Sequence, residues 1–298
     1  MAFMLALALV CAAHAQPPLT PLEVAYAGSM GSMMDGAIKP AIAKALNLEL
    51  RGRAQGSTGL ANLIIAGSIR PDVFICVTPP PMRRVLDAGN ADTALPVART
   101  EMVIAYSPRS AYADQLRHAS ERGAASWWRI LETPGLRFGR TDPHTDPQGL
   151  NILFTMQLAS AYYDQPDLAS KILGAQINPA QIFQEPEVMA RLQSGQLDAA
   201  SAYKTQPDAL ALPYIVLPRE INLGDASMDQ YYRRASVSLE GKLHHPAPLV
   251  FYAAVLKNAP RPKLAAEFVA WLKSPAAREI LLRYHYDDPG DATPLTRR

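Results

Sequence analysis

Small hydroxyl-bearing residues follow two predicted strands, each directly after a glycine. Ser29 follows Gly28 in the stretch YAGSM, and Ser57 follows Gly56 in the stretch AQGSTG. Each serine stands where a helix is predicted to begin, and the first N–H groups of a helix can bind an anion. The two serines are therefore either helix caps or hydrogen-bond donors to a small anion.

A further polar cluster lies in the middle of the chain. Asp142 and Asp146 each precede a proline in the stretch TDPHTDPQG, and a helix is predicted to begin near Gly149. Asp-Pro is common in turns, so each aspartate is either a turn residue or part of a site. Tyr203 ends a predicted strand, where its phenol either packs or donates to a ligand oxygen. Together with the two serines, these residues predict a cleft between two lobes.

The sequence lacks the motifs that mark nucleophilic, metal or nucleotide chemistry. No GxSxG, HExxH, GxxxxGK[ST] or post-strand GxGxxG occurs. His244 and His245 have no Cys or carboxylate at ligand spacing. The tyrosine pairs at 162–163 and 231–232 are either packing residues or, for the second pair, a ferric-ion site. The pattern favours binding over catalysis, and it predicts neither an enzyme activity nor a cofactor.

Length and composition predict an ordered, two-lobed protein that is exported. The 298 residues are 49% hydrophobic and 19% charged, with a formal net charge of +2. No cluster of lysines and arginines marks a nucleic-acid site. Residues 1–15 read as a signal peptide, because an apolar run ends in the small-x-small sequence AHA at 13–15. Cleavage there leaves Cys76 without a disulfide partner in a protein of the periplasm.

Apolar runs and turn residues predict the elements that position these groups. In the first third, strands and helices alternate, which predicts a parallel sheet flanked by helices. Ligands of such sheets lie beyond the carboxyl ends of the strands. A second α/β region follows, and Ser274 caps the last of two closing helices. The main predicted strands are 22–26, 48–51, 73–77, 101–108 and 199–203, and the first helices are 33–46 and 57–67.

The chain carries, in this order, the stretches AGSM, QGSTGLANLIIAGSIRPDVFI, DPQG, LQSGQLDAASAYKT and AAEFVAWLKSPAAREILLRY. Together they resemble the periplasmic molybdate/tungstate-binding proteins of ABC importers. The resemblance implies an α/β, type II periplasmic-binding-protein fold with the ligand cleft between two lobes, each a sheet flanked by helices. It places lobe 1 in 16–104, lobe 2 in 105–215 and a return to lobe 1 in 216–298. It also implies a monomer that delivers its ligand to a permease of the inner membrane.

The resemblance further implies a set of ligand-binding residues. Ser29 and Ser57 match two serines that donate hydroxyl and backbone hydrogen bonds from lobe 1. From lobe 2, Tyr203 matches a donating tyrosine, Gln148 falls where a backbone N–H of a helix start is used, and Glu185 falls near another backbone donor. The implied ligand is a small oxyanion, molybdate or tungstate foremost. Sulfate, an organic anion and ferric ion are the alternatives on the same fold, and an enzyme is the alternative of another class.

Asp146 bears on how the metal of such an oxyanion is coordinated. In the tungstate-type branch of the family, an Asp in the DP-x-G loop and a Glu just before the strand tyrosine make the metal six-coordinate. Asp146 is present, but Ala202 stands where that Glu is expected. A lone carboxylate repels a unit negative charge by roughly 4 kcal/mol at 4 Å and an effective dielectric constant of 20. The sequence therefore predicts neutral donors around a tetrahedral oxyanion, or a different small anion, and leaves contact with Asp146 open.

Overall fold

A computed structural model describes residues 18–121 and 126–297 of the chain. The predicted signal peptide and its cleavage site, at 1–15, lie outside these residues. Among the residues that are described, no helix combines the length and the apolar character needed to cross a membrane.

The strands of the described residues form two sheets and a hairpin. The strands are β1 (Thr20–Ala27), β2 (Leu48–Gln55), β3 (Val73–Val77), β4 (Thr93–Arg99), β5 (Met102–Tyr106), β6 (Phe138–Gly139), β7 (Ala199–Tyr203), β8 (Tyr214–Val216), β9 (Val237–Leu239), β10 (Lys242–His244), β11 (Val250–Val255) and β12 (Leu295–Thr296). The larger sheet has the order β12-β4-β11-β3-β1-β2, and the smaller has the order β6-β7-β5-β8. β9 and β10 form the hairpin. We call the two sheets with their helices lobe 1 and lobe 2.

Helices connect the strands and close the chain. The helices are α1 (Gly31–Met33), α2 (Lys39–Leu46), α3 (Ser57–Ile65), α4 (Pro79–Asp87), α5 (Ala113–Glu121), α6 (Trp127–Leu131), α7 (Pro147–Tyr162), α8 (Leu168–Leu173), α9 (Glu185–Ser194), α10 (Thr205–Ala209), α11 (Asp229–Tyr232), α12 (Pro262–Trp271) and α13 (Pro275–Arg283). Ser274 caps α13, since its hydroxyl accepts from the Ala277 N–H at 3.2 Å. The predicted cap of the last helix is therefore confirmed.

The parallel arrangement of the first strands is confirmed. β1 pairs in parallel with both β2 and β3. Ala27 lies opposite Gln55 at the carboxyl ends of β1 and β2. Gly28 and Gly56, the next residues along the two strands, therefore stand side by side at one edge of the sheet. This edge carries both of the predicted serine junctions.

The helix predicted over 33–46 forms with a local distortion around Pro40. A 3₁₀ turn (Gly28–Met30) and α1 lead into a π-helical segment, Met34–Ile38, and α2 follows. Pro40 is the second residue of α2, and because the chain is already helical before it, its missing N–H leaves a carbonyl of the preceding turn without the usual helical donor. The π segment directly precedes the proline and keeps the chain helical up to that point.

Two neighbouring crossovers connect the lobes. The first runs from β4 to β5 around Thr100, and the second returns from β8 to β11. They bond to each other, because the Met102 N–H donates to the Asn222 carbonyl at 2.7 Å and the Thr100 N–H to the Leu249 carbonyl at 3.0 Å. Such paired segments are suited to act as a hinge between two rigid bodies.

Apolar packing and one buried carboxylate hold lobe 1 together. Phe74 and Cys76 of β3 are fully buried, and burial raises the pKa of the Cys76 thiol. Asp72, just before β3, is also fully buried. Its carboxylate accepts from the Glu23 N–H at 2.9 Å, the Arg261 N–H at 2.7 Å and the Arg261 guanidinium at 2.8 Å. Asp72 therefore joins β1, β3 and the start of α12.

Candidate functional site

A cavity of about 230 Å³ lies between the two lobes, and the segments that follow their strands line it. Lobe 1 contributes Gly28 and residues 54–56, which follow or end β1 and β2. Lobe 2 contributes residues of the loop after β6, including Asp146, and residues 183–186 at the start of α9. The cavity is therefore built where strands end and helices begin, which is the usual ligand position in open α/β sheets.

The lobes touch at one side of this cavity. The Gly59 N–H in the first turn of α3 donates to the Thr145 carbonyl at 3.1 Å. A Cβ at Gly56 would stand 2.7 Å from the same carbonyl oxygen and 3.2 Å from the Asp146 Cβ. Glycine at 56 therefore lets the backbones of the two lobes approach.

Asp146 is the N-cap of α7, and only 7% of it is exposed. Its Oδ1 accepts from the Gln148 N–H at 2.9 Å. That N–H was predicted to donate to a ligand, but Asp146 already binds it. The Gln148 side chain donates instead to the Ser201 carbonyl at 2.9 Å. Burial raises the pKa of Asp146 to about 6, although the bond from the Gln148 N–H lowers it.

Glu185 is brought beside the Asp146 loop by a short strand-like pairing. The Arg140 N–H, just after β6, donates to the Gln181 carbonyl at 2.8 Å, and the Phe183 N–H returns a bond to the Arg140 carbonyl at 3.0 Å. Glu185 begins α9 two residues later. The pairing places the loop after β6 and the start of α9 on the same side of the cavity.

The carboxyl group of Glu185 faces lobe 1 and lies near Asp146. Its Oε1 accepts from Gln206 Nε2 at 2.7 Å, and a Cβ at Gly28 would overlap its Oε2. Burial and the negative charge of Asp146 raise its pKa well above the usual value, while the Gln206 bond opposes the rise. Ala202 stands where a second carboxylate was expected, and the Glu185 side chain lines the cavity together with Asp146.

Tyr203 stands at the carboxyl end of β7, behind the two carboxyl groups. It is 1% exposed, and its hydroxyl accepts from Asn151 Nδ2 at 3.0 Å, so its own hydrogen remains available to donate. Burial raises its pKa well above the usual value, and the charges of Asp146 and then Glu185 raise it further. The phenol is therefore protonated at neutral pH and close to both carboxyl groups.

Ser29 and Ser57 are buried at the lobe 1 side, and neither caps a helix. Gly56 is the N-cap of α3, and the hydroxyl of Ser57 accepts from the Val77 N–H at 3.3 Å. Ser29 lies in the 3₁₀ turn that follows β1, and no side-chain cap bond forms there. The cap interpretation of the two serines is thus excluded, and each sits directly after a glycine that lines the cavity.

Sequence reasoning missed Asn151, Gln206 and Tyr286. Tyr286 is 2% exposed, and its hydroxyl donates to the carbonyl of Ser29 at 3.0 Å. Asn151 is buried on α7, five residues after Asp146. Asn151 could have been identified from the sequence, because a polar residue among the apolar residues of a predicted helix indicates a buried hydrogen-bonding group. The sequence offers no comparable signal for Tyr286, which comes from the far end of the chain.

Asp142 also lines the cavity, and its Oδ1 accepts from the His144 N–H at 2.9 Å, whereas neither tyrosine pair lines the cavity. Tyr232 is buried, and its hydroxyl donates to the Arg219 carbonyl at 2.7 Å. The guanidinium carbon of Arg234 lies 4.7 Å from the centre of the Tyr231 ring. Tyr163 packs edge-on against Tyr162. Among the described residues, no group of three or more His, Cys, Asp or Glu side chains is arranged to hold a free metal ion.

Comparisons with known proteins relate this chain to binding proteins. The sequence model of the family described as bacterial extracellular solute-binding protein matches residues 22–287. A protein of Pyrococcus abyssi, named molybdate/tungstate-binding protein WtpA, is 33% identical over 211 residues, which is 64% of this chain and 60% of the relative. Its namesake from Thermococcus kodakarensis is 28% identical over 294 residues, covering 90% of this chain and 82% of the relative.

A solved structure shares the same architecture. The periplasmic molybdate-binding protein of Azotobacter vinelandii superposes with a TM-score of 0.64 over 90% of this chain and 99% of its own. At 17% identity this likeness shows the fold, which is that of type II periplasmic binding proteins. The sequence match over nearly the whole described chain is more specific. The chain therefore belongs to the bacterial extracellular solute-binding proteins.

Proposed function

We propose that this chain is the exported receptor of an ABC importer and that it captures molybdate or tungstate in the cavity between its lobes. The observation that carries the proposal is the pair of buried carboxyl groups, Asp146 and Glu185, beside the Tyr203 phenol. Neutral donors alone would serve any tetrahedral oxyanion. A pair of carboxylates favours a ligand whose central atom can bind carboxylate oxygens.

Molybdate and tungstate gain from carboxylates because their metal centres can accept additional oxygen ligands. Coordination then offsets a Coulomb repulsion of roughly 4 kcal/mol per pair of unit charges at 4 Å and an effective dielectric constant of 20. We assign Asp146 and Glu185 as direct ligands to the metal. Tyr203 donates to a ligand oxygen, and Ser29 and Ser57, with the nearby backbone, serve the lobe 1 side.

The same pair disfavours sulfate and phosphate. Sulfur and phosphorus in these anions do not take up further oxygen ligands, so both carboxylates would remain as uncompensated repulsion. Sulfate or phosphate would escape this repulsion only with protons on both carboxyl groups, a state that becomes more populated as the pH falls. Selectivity thus comes from the chemistry of the central atom in addition to cavity size.

Relatives support the choice of ligand. The proteins of Pyrococcus abyssi and Thermococcus kodakarensis carry molybdate and tungstate in their names. The longer alignment, with the latter, includes most of both chains. We extend the ligand to this chain because the candidate residues fall in the aligned family region at 22–287.

The remaining parts of the proposal concern the whole receptor. We place lobe 1 in 16–104, lobe 2 in 105–215 and the return in 216–298, with closure about the paired crossovers. The receptor acts as a monomer in the periplasm, after removal of residues 1–15, and it passes the anion to an inner-membrane permease without catalysis. It has no nucleic-acid partner.

A ligand panel tests the proposal. Purified protein is melted with molybdate, tungstate, sulfate, phosphate or Fe(III), each at the same concentration. A ligand at 100 times its dissociation constant stabilises the folded state by about 2.7 kcal/mol, which raises the Tm by several degrees. We expect that shift with molybdate and tungstate only. A shift with sulfate alone, or iron–phenolate absorbance with Fe(III), would overturn the choice of ligand.

A further inference from the structure

Gln206 connects the two ligand-binding groups of lobe 2, and both ends of its amide are used. The residue lies on α10, directly after β7, and is 6% exposed. Its Oε1 accepts from the backbone N–H of Tyr203 at 2.7 Å, and its Nε2 donates to Glu185 Oε1 at 2.7 Å. One side chain thus bridges the end of β7 and the start of α9.

The orientation of this amide is dictated by chemistry. The backbone N–H of Tyr203 can only donate, so the Gln206 oxygen must face it and the amide nitrogen must face Glu185. Glu185 Oε1 is therefore always an acceptor on that side. The second carboxyl oxygen, Oε2, is the one that faces Gly28 at the cavity wall.

We propose that Gln206 is a positioning residue of the oxyanion site: it binds Glu185 Oε1 so that Oε2 is presented to the ligand, and it ties Glu185 to Tyr203. The inference rests on the proposed function, since it concerns how one proposed ligand residue is aimed. A glutamate side chain has three rotatable bonds, and the Gln206 bond restricts them before the ligand arrives. Preorganisation of this kind lowers the entropy lost on binding.

A neutral amide suits this position for an electrostatic reason. Asp142, Asp146 and Glu185 already place carboxyl groups at the cavity. A further carboxylate would add repulsion, and a lysine would form an ion pair with Glu185 and compete with the ligand for it. The amide orients the carboxylate without neutralising its charge. Partners of this kind behind a metal-binding carboxylate typically affect affinity by about 10–100-fold.

The test compares Gln206→Met with the wild-type protein in molybdate binding. Two readouts are taken: the dissociation constant, and the near-ultraviolet charge-transfer spectrum at saturating molybdate, which reports the coordination of the metal. We expect about 10–100-fold weaker binding, and a saturated spectrum shifted towards that of free, tetrahedral molybdate. A merely structural role would weaken binding but leave the saturated spectrum unchanged, and would overturn the inference.

A matched control and a second variant keep the test decisive. Gln157→Met also removes a hydrogen-bonding amide, one that accepts from the Ser236 N–H at 3.0 Å and does not line the cavity, and it should leave both readouts unchanged. Gln206→Glu keeps the acceptor for the Tyr203 N–H, and it replaces the donor to Glu185 with a carboxyl oxygen that repels it, so it serves if the methionine variant fails to fold. If Gln206→Glu gives the wild-type spectrum, the inference about Gln206 is overturned and the proposed function is not affected. Absence of molybdate binding by the wild-type protein would overturn the proposed function, and the inference with it.

Discussion

Asp146 and Glu185 are buried carboxyl groups whose pKa values are raised mainly by burial, with a further rise from the charge of Asp142 for Asp146 and from the charge of Asp146 for Glu185. A carboxylate held in this way costs folding free energy whenever it is ionised, and a group retained at such a cost is a functional candidate. At the residue scale, removal of one carboxylate should therefore stabilise the folded protein and weaken ligand binding.

Asp146→Asn tests this trade-off. The asparagine keeps an acceptor for the Gln148 N–H, so α7 stays capped. The folded pKa of Asp146 is raised to about 6, so protonation stabilises the folded state below about pH 4 and that contribution is lost as the pH rises through 6. In urea unfolding without ligand, the variant should gain about 1–3 kcal/mol over the wild type between pH 4 and pH 7. It should bind tungstate at least tenfold more weakly. A stability difference that does not change with pH would contradict the assignment.

Gly28→Ala tests the contact between the lobes. The new Cβ would overlap Glu185 Oε2, whereas a Cβ at Gly31 would meet nothing within 4 Å. We expect Gly28→Ala to weaken tungstate binding more than tenfold, because Glu185 must move from its position, and Gly31→Ala to have no effect. Titration calorimetry of both variants measures this. Equal affinities would show that Glu185 does not face Gly28 in the bound state.

At the scale of elements, a clamp at the far ends of β6 and β7 holds the lobe 2 part of the site. Asp198 accepts from the Arg137 N–H at 2.8 Å, from the Arg137 guanidinium at 2.8 and 2.9 Å, and from the Ser110 hydroxyl at 2.8 Å. Burial raises the pKa of Asp198, but the Arg137 and Ser110 bonds lower it more, so the net pKa is lowered. The clamp keeps β6 and β7 in the register that brings their carboxyl ends to the cavity.

Arg137→Met should lower the free energy of unfolding by about 1–3 kcal/mol at pH 7, the range for hydrogen bonds to a charged group. A lowered folded pKa means that Asp198 stabilises the fold above the usual aspartate range and that this contribution is lost as the pH falls through the folded value. The loss of unfolding free energy should therefore shrink as the pH falls below the usual aspartate range. Arg117→Met is the control, because its ion pairs with Asp114 and Glu121 are exposed to solvent and contribute little to stability. Equal losses in both variants would contradict the clamp.

Features that depend on neighbouring residues were predictable from the sequence, whereas features that depend on contacts between distant residues were not. The apolar run of β3 and the strand ending at Tyr203 were predicted because local burial patterns determine them. Glu185 was predicted to lie near the ligand, but the direction of its side chain depends on Gln206, 21 residues away, and on Gly28 of the other lobe. Ser57 was placed at the correct helix, yet its hydroxyl bonds to Val77 instead of capping. Contacts of this kind leave no trace in local periodicity.

At the scale of the whole molecule, the cavity lies at the boundary between lobe 1 and lobe 2, which the paired crossovers connect. Besides the site, Asp208 of lobe 2 and His285, after α13, approach to 3.7 Å across the same boundary. Contacts that span it, such as Gly59 to Thr145, can form only when the lobes are together. The ligand is therefore expected to favour this arrangement by adding bonds to both sides.

Small-angle X-ray scattering tests closure. We expect the radius of gyration to fall when tungstate is added to the wild-type protein, because the ligand holds the lobes together. Gly28→Ala should show a smaller decrease at saturating tungstate, since its methyl group obstructs Glu185. An unchanged radius of gyration in a protein that demonstrably binds tungstate would argue for a fixed, preformed cavity.

The measurement that bears most directly on the account is tungsten L3-edge X-ray absorption of the protein saturated with tungstate. Asp146 and Glu185 lie on the same cavity and are assigned as ligands to the metal. The account predicts more than four oxygen neighbours around tungsten, with a return towards four in Asp146→Asn. A four-coordinate spectrum identical to that of free tungstate would contradict it, and would leave the carboxyl groups without a role in binding.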